Sequence, residues 1–263
     1  MASEAECPYF VAGATARDLV LVHVHGLPPG RATRDVDFGV AVQNWEQFSK
    51  LKQRAAVSGA FREHPHAMQR LIFIDPETGA ELPVDLIPFR GVTSSDYMIE
   101  WPPNRDVVMN VAGFEEALEA SVSLVVEDGL SVRVASIPGL AVLKLVAWMD
   151  RRNITNKDAS DLYRLITTYG DAGITDRLYD QEMALLEEYG FDTRLTGADL
   201  LGQDAAQLCR QSTRELTAGL ARSDDLYASL VDQVLQTCSM PETLESTQHL
   251  MEAFRRGLTG RAR

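Results

Sequence analysis

The sequence predicts an α+β protein, in which a mixed sheet with flanking helices is followed by a C-terminal helical bundle. Two observations support this class. Through the first half of the chain, stretches with apolar residues at every second position alternate with helix-like stretches. From residue 137 onward, apolar residues recur at spacings of three and four, which indicates amphipathic helices. We therefore expect two domains, residues 1–136 and residues 137–263.

The first of these domains is predicted from strand periodicity and turn residues. Residues 36–42 place their valines and a phenylalanine on one face of a strand, and Asn44 is a suitable cap for a helix over 45–57. Two glycines and two prolines at 26–30 indicate a loop. Two hairpins are predicted: strands 68–74 and 82–89 around a turn from Pro76 to Gly79, and strands 122–126 and 130–134 around Asp128-Gly129. The remaining predicted elements are an apolar run at 9–11 and a helix at 15–23.

The second domain is predicted to consist of helices. The helical spacing of apolar residues covers 137–151, 156–169, 175–189 and 224–238. A last helix is predicted from Pro241 to about residue 258, since proline suits the first turn of a helix. Beyond residue 175 the pattern predicts packing and nothing more specific.

Composition excludes several classes of protein. The apolar fraction of 45 % and the charged fraction of 24 % are those of an ordinary globular protein. Cys7, Cys209 and Cys238 lie far apart, which argues against a disulfide framework or a structural zinc site. The chain shows neither the pattern of a signal peptide nor an apolar run of the ~20 residues that cross a membrane. We therefore expect a cytoplasmic protein with no membrane partner.

The formal net charge is −13. This charge argues against broad, non-specific binding of nucleic acid, which depends on neutralising phosphates. A local basic patch still allows an RNA substrate, and bound metal ions reverse the sign of the field at a carboxylate cluster.

Asp35 and Asp37 are the first candidate site residues. They stand two residues apart at the start of a predicted strand, so both side chains leave the same face, with Cα atoms about 6.5–7 Å apart. Two convergent carboxylates on a rigid strand end suit Mg²⁺, which prefers oxygen ligands. A pair of such ions about 3.5–4 Å apart stabilises both the attacking and the leaving oxygen of a phosphoryl displacement. The alternative is that the two aspartates only cap a strand end.

Asp85 is the third candidate. It lies in a strand that otherwise reads as buried, where an ionised carboxylate is costly unless it is paired or bound to a metal. If this strand neighbours residues 36–42, Asp85 can face the same two ions and assist deprotonation of the attacking hydroxyl. The alternative is a salt bridge from Asp85 to one of three arginines: Arg17, Arg31 or Arg34.

A glycine-led turn precedes these aspartates. Gly13-Ala14-Thr15 stands where a short strand meets a helix, and glycine there lets backbone N–H groups approach a phosphate. Together with the segment from Arg31 to Asp37 and with Asp85, this turn resembles the core of the polymerase-beta-type nucleotidyltransferases. The arginine- and threonine-led form of the aspartate pair is most similar to the AbiEii/AbiGii toxin-type nucleotidyltransferases.

The resemblance covers most of residues 9–165 and carries implications of its own. It implies that Gly13, Ala14, Thr15 and Arg31 contact a nucleoside triphosphate. The chain departs from the superfamily pattern at Ala14, where a serine or glycine is usual. A serine hydroxyl for the phosphates is therefore missing, which leaves Thr15 or backbone N–H groups to replace it.

The same resemblance gives roles to residues of the helical half. Lys144 lies within an otherwise apolar helix, and Lys157-Asp158 followed by Asp161 begins the next helix. The resemblance implies that Lys144 contacts the nucleotide phosphates and that Asp158 lies at the active site, in a cleft between the two domains. The alternatives are that the Lys144 stem passes along the core and that Asp158 stabilises the first turn of its helix. For Asp161 we expect a structural role.

Three further groups of residues have less specific patterns. Arg151, Arg152 and Lys157 form a basic patch that suits an acceptor RNA or, more simply, a solvated loop. The histidine pairs at 23 and 25 and at 64 and 66 have no partners at metal-binding spacing. The tryptophans are expected in cores or at the domain junction, although Trp101 with its two following prolines could wall a base pocket.

The predicted function is Mg²⁺-dependent transfer of a nucleoside monophosphate from an NTP to an acceptor hydroxyl, with two ions held by Asp35, Asp37 and Asp85. The family resemblance suggests a tRNA acceptor and a toxin-like role, with an antitoxin protein as partner. Two alternatives remain: an antibiotic-type enzyme with a small-molecule acceptor, favoured by the acidic charge, and a degenerate, non-catalytic nucleotide-binding module.

Overall fold

The computed structural model describes residues 7–127, 129–237 and 244–260. The chain divides into two compact units, one of Met1–Leu19 with Arg31–Ala135, the other of Val20–Gly30 with Ser136–Arg263. The short segment Val20–Gly30 thus belongs with the later half of the chain, which the sequence did not predict. No helix among the described residues has the length and apolarity needed to cross a membrane.

The first unit is built on a seven-stranded sheet with the strand order β3-β4-β5-β2-β1-β9-β8. Strands β2 and β5 pair in parallel, as do β1 and β9, and the other neighbours are antiparallel. The sheet is therefore mixed, as predicted. Its strands are β1 (Tyr9–Ala12), β2 (Val36–Val42), β3 (Phe61–Glu63), β4 (Arg70–Ile74), β5 (Glu81–Arg90), β8 (Val122–Glu127) and β9 (Leu130–Val134); β6 (Met98–Glu100) and β7 (Val108–Asn110) form a separate pair.

Among the described residues of this unit, three α-helices flank the sheet: α1 (Gly13–Asp18), α2 (Trp45–Val57) and α3 (Phe114–Glu119). The predicted cap is confirmed, because the Asn44 side chain accepts a hydrogen bond from the backbone N–H of Gln47 at 2.9 Å. The helix predicted over 15–23 begins earlier and changes form, since α1 is followed by a π-helix at Leu19–Val24.

An aromatic cluster fills the sheet face that also carries the site. The rings of Phe10, Phe89 and Phe114 lie with centroids 5.7–6.2 Å apart. Gly39 makes room for this cluster, because a Cβ there would come within 2.4 Å of the Phe10 ring. Phe10 is opposite Gly39 in the sheet, so the same face continues from these rings to the ends of the strands that bear the aspartates.

The second unit is helical, which confirms the predicted C-terminal helical region. Its α-helices are α4 (Ile137–Arg151), α5 (Lys157–Thr168), α6 (Thr175–Asp180), α7 (Met183–Glu188), α8 (Thr193–Leu208), α9 (Gln211–Arg222), α10 (Asp224–Thr237) and α11 (Leu244–Thr259). The prediction of a single helix over 175–189 was wrong, because two short helices occupy this range. Between them, the Arg177 side chain pairs with Glu182 at 3.1 Å, and the Arg177 carbonyl oxygen accepts from the N–H groups of Gln181 and Glu182. Pro241, predicted to begin the last helix, lies outside the described residues.

The core of the second unit is closely packed. Trp148 on α4 is fully buried, and its indole N–H donates to the Gln233 side chain at 3.0 Å. Helices α8 and α11 meet at Gly202 and Gly257, where an added Cβ would come within 2.3 Å of the opposite backbone. The predicted core position of Trp148 is thus confirmed.

Candidate active site

Parallel pairing of β2 and β5 brings two of the predicted carboxylates together. Asp37 on β2 is the register partner of Asp85 on β5, so their Cα atoms stand about 4.8 Å apart, the usual spacing of neighbouring strands. The same row continues to Ala12 on β1 and to Arg70 on β4, which is the partner of Asp85. Side chains in one row leave the same sheet face, so Asp37, Asp85 and Arg70 project together. The predicted role of Asp85 required its strand to lie beside residues 36–42, and this is confirmed.

Asp35 lies just before β2, and two threonine hydroxyls fix it. The Thr33 hydroxyl donates to the Asp35 carboxylate, and the Thr15 hydroxyl of α1 donates to the Asp35 carbonyl oxygen at 3.1 Å. A hydroxyl has one proton to donate, so in this conformation the Thr15 hydroxyl is spent on the main chain and not available to a phosphate. Thr33 belonged to the recognised motif, yet sequence reasoning gave it no role.

Arg17 braces the loop that leads to Asp35. Its side chain is 2 % exposed, and it donates to the carbonyl oxygen of Arg31 at 3.0 Å and to the Asp18 carboxylate at 2.8 Å. A buried guanidinium that holds a loop carbonyl fixes the loop relative to α1. Arg31 itself is exposed, as is Arg34.

Gly13 is required by the close approach of Asp37. The residue has a φ of +63°, and a Cβ built there would lie 1.9 Å from Oδ2 of Asp37. Any other residue would therefore clash with the carboxylate and strain the backbone as well. The neighbouring Ala14 is buried, at 6 % exposure. The turn predicted to approach a phosphate thus touches a carboxylate of the site directly.

The partner of Asp85 is Arg70, and none of the three arginines considered from the sequence. Nε and Nη2 of Arg70 each donate to one carboxylate oxygen of Asp85 at 2.7 Å. Those hydrogen bonds raise the pKa of the Arg70 guanidinium, and the negative charges of Asp85, Asp35 and Asp37 also raise it. The turn at Asp75 and Ala80 sets the hairpin register that places Arg70 opposite Asp85, so counting outward from the predicted turn would have found this pair. We call Asp35, Asp37, Asp85 and Arg70 the strand-end site.

The donor set of the strand-end site fits a divalent cation. Three carboxylates supply the oxygen ligands that Mg²⁺ prefers, and Asp37 and Asp85 lie on adjacent rigid strands. Within the described ranges, however, no three acidic, histidine or cysteine side chains are arranged as a ready metal site. In this conformation Arg70 donates to both oxygens of Asp85, and Thr33 donates to an oxygen of Asp35. A metal ion at Asp85 would therefore lie close to the positive charge of Arg70.

A second charged group occurs in the helical unit. The Nζ of Lys144 on α4 donates to Asp161 at 2.7 Å and to Asp158 at 3.2 Å, both on α5. Nη2 of Arg151 donates to both oxygens of Asp158 at 2.8 and 3.0 Å. Asp158 and Asp161 are buried, at 2 % and 3 % exposure. We call these four residues the lysine cluster. The cluster joins the Lys144 and Asp158 side chains. The structural role expected for Asp161 is consistent with its ion pair to Lys144.

The predicted basic patch is largely engaged in intramolecular contacts. Arg151 pairs with Asp158. Arg152 donates to the Met149 carbonyl oxygen at 2.6 Å and lies over the Trp148 ring. Lys157 is exposed. These contacts favour the structural interpretation of the two arginines over an RNA surface.

Trp101 lies in an aromatic core. It is 7 % exposed, and its ring centroid lies 5.5 Å from that of Trp45 and 6.0 Å from that of Phe48. The core position predicted for Trp101 is confirmed, because its indole ring packs against other aromatic side chains.

Comparisons with known proteins give a family match for most of the chain. The family model described as "AbiEii: Nucleotidyl transferase AbiEii toxin, Type IV TA system" matches residues 1–247. No curated protein matches the chain. Among solved structures, the solution structure of the antibiotic-resistance factor ANT(2'')-Ia is similar, with 15 % identity over 72 % of this chain and 90 % of that chain and a TM-score of 0.35.

The family match, which extends over both units, defines this chain as a nucleotidyltransferase. More specifically, the chain belongs to the AbiEii nucleotidyl transferase toxin family. The resemblance drawn from Gly13, the aspartate pair and Asp85 is thereby confirmed at the level of the family. The individual roles of those residues stay predictions.

Proposed function

We propose that this protein transfers a nucleoside monophosphate from an NTP to a hydroxyl of a tRNA, with release of pyrophosphate, and that it acts as a toxin restrained by an antitoxin protein. The observation that carries the proposal is the parallel register that sets Asp37 beside Asp85, with Asp35 two residues earlier. Membership of the AbiEii family supports the toxin role and the kind of reaction.

In the reaction, the acceptor oxygen attacks the α-phosphorus and forms the new P–O bond. The bond from the α-phosphorus to the oxygen that bridges it to the β-phosphate breaks, and the electron pair leaves with pyrophosphate. Two Mg²⁺ ions, when bound, supply Lewis-acid stabilisation of the charge on these oxygens.

Residues of the chain provide the remaining functions. Asp35, Asp37 and Asp85 would hold the ions, and Asp85 would assist in taking the proton of the acceptor hydroxyl. Gly13 allows the backbone of α1 to lie against Asp37, and Thr15 holds the Asp35 main chain. On the resemblance alone, we also propose that Lys144 contacts the nucleotide phosphates and that Asp158 positions Lys144.

The test is an incorporation assay. The purified protein is incubated with Mg²⁺, each of four α-labelled NTPs and total tRNA, and label in the RNA is counted. We expect one NTP to label tRNA, and we expect Asp37→Ala to abolish the labelling. Equal labelling by wild type and Asp37→Ala would contradict the assignment of the strand-end site.

A small-molecule acceptor is the second candidate, and the net charge of −13 favours it. A surface that repels polyanions suits a small cationic acceptor better than RNA. In the same assay, label in an aminoglycoside with none in tRNA would support this candidate. Binding of NTP without transfer to either acceptor would instead support a non-catalytic module.

A further inference from the structure

Arg70 engages the whole carboxylate of Asp85. Two guanidinium nitrogens each donate to a different oxygen at 2.7 Å, and the residues are direct partners across β4 and β5. Such bidentate pairs are strong and hold both groups in one geometry. An ion that approaches Asp85 therefore meets a carboxylate whose two oxygens already accept from a cation.

The surroundings of Arg70 suit an exchangeable partner. Its side chain is 30 % exposed, while that of Asp85 is 12 % exposed and is fixed in the middle of the sheet. The charges of Asp35 and Asp37 also act on Arg70. Arg70 is therefore a counter-ion of these carboxylates, and the exposure of its side chain gives the guanidinium room to move away from Asp85.

A guanidinium and a divalent cation bound to one carboxylate lie close together, although each oxygen has two lone pairs. Their like charges repel each other, and the repulsion grows as water is excluded from between them. A cation that reaches Asp85 therefore weakens the bond to Arg70, and Arg70 in turn opposes the cation.

We propose that Arg70 is a positioning residue that holds Asp85 in the metal-free protein and competes with divalent cations for it. Arg70 thus weakens metal binding while it prevents three nearby carboxylates from repelling one another. This inference rests on the proposed function, because it takes Asp85 to be a metal ligand.

The test measures Mn²⁺ binding to the full-length protein without nucleotide, by electron paramagnetic resonance of the free ion. We expect Arg70→Gln to bind Mn²⁺ about tenfold more tightly than wild type, a change of about 1.4 kcal/mol. Without Mn²⁺ the same variant should melt at a lower temperature than wild type, and added Mn²⁺ should restore most of the difference. Arg70→Lys keeps the charge but loses the bidentate geometry, so its affinity should fall between the two.

Two controls separate competition from a structural effect. Arg62→Gln breaks the exposed pair of Arg62 and Glu81 on the same sheet and should leave Mn²⁺ affinity unchanged. In an Asp85→Asn background, Arg70→Gln should give no gain, because the ligand under competition is gone.

The outcomes distinguish failure of the inference from failure of the proposed function. If Asp85→Asn weakens Mn²⁺ binding but both Arg70 variants bind as wild type or more weakly, competition is overturned and the metal site stands. If neither Asp37→Asn nor Asp85→Asn changes Mn²⁺ binding, the metal site itself is overturned, and the inference with it.

Discussion

The strand-end site and the lysine cluster are both groups of charged side chains, yet their composition differs. The strand-end site combines three carboxylates with one guanidinium, so its named charges sum to −2. The lysine cluster combines two carboxylates with Lys144 and Arg151, and its named charges cancel. An excess of carboxylates attracts a cation, whereas the charges of a balanced group offset one another. The named residues of the strand-end site keep a net negative charge, which the proposed metal ions would offset, whereas the lysine cluster joins α4 to α5.

Removal of one carboxylate from the strand-end site should have the largest effect on activity. We expect Asp37→Asn to lower the rate of nucleotidyl transfer roughly 10⁴-fold, because several kcal/mol of transition-state stabilisation are lost with a metal ligand. The stability of the fold should change little. The measurement is initial rate of label incorporation, with Asp106→Asn, an exposed residue of the same unit, as the matched control. A loss of less than tenfold would remove Asp37 from the catalytic group.

The next change tests the balance of the lysine cluster. Lys144→Met removes the lysine that pairs with the buried Asp161, and loss of one partner of a buried ion pair costs about 3–5 kcal/mol. Urea unfolding should show this loss of free energy, while Lys157→Met on the surface should stay within about 0.5 kcal/mol of wild type. Adding Asp161→Asn to Lys144→Met should recover part of the stability. If the double variant recovers no stability, the loss of unfolding free energy does not come from the charge of the Asp161 carboxylate.

A glycine substitution separates backbone strain from disturbance of the site. Gly13 and Gly79 have similar φ values of +63° and +69°, but only at Gly13 would a Cβ meet Asp37. Both alanine variants should lose about 1–2 kcal/mol of stability from left-handed backbone. Only Gly13→Ala should also lose transfer activity, about 100-fold, because it displaces a catalytic carboxylate. Equal activity in the two variants would show that Asp37 tolerates displacement.

The smallest expected effect concerns the threonine beside Asp35. Thr33→Val removes the hydroxyl that donates to the Asp35 carboxylate and should slow transfer roughly tenfold, as expected for one hydrogen bond to a charged group. Thr33→Ser keeps the hydroxyl and should retain most of the activity. A serine variant as slow as the valine variant would assign the effect to packing of the methyl group instead.

Much of the local structure could be predicted from the sequence. The alternation of residues 36–42 predicted β2, and the turn residues at 76–79 predicted the hairpin of β4 and β5. The change of periodicity after residue 136 predicted the helical region. Each of these depends on a pattern within a few neighbouring residues, where sequence and backbone geometry are directly linked.

Other features could not be predicted in the same way. The break between α6 and α7 depends on ion pairs of Arg177 with Glu182 and with Asp204, and Asp204 lies on another helix. The grouping of Val20–Gly30 with the later half of the chain likewise depends on residues distant in sequence. The roles of Arg17, Thr33 and Arg70 were missed because each depends on a side-chain hydrogen bond. The spacing of residues indicates which of them are neighbours but not which side-chain bonds they form.

The sequence alone established the family, the strand that bears Asp37 with Asp35 just before it, and the acidic residue types of the site, because motif chemistry and periodicity are local properties. The tertiary structure sets Asp37 beside Asp85, brings Gly13 close to Asp37 and orients the Arg70 guanidinium toward both oxygens of Asp85. The order of the strands and the register of β2 with β5, which are distant in sequence, are set by the packing of the whole sheet. The charge balance that distinguishes the strand-end site from the lysine cluster follows from those pairings.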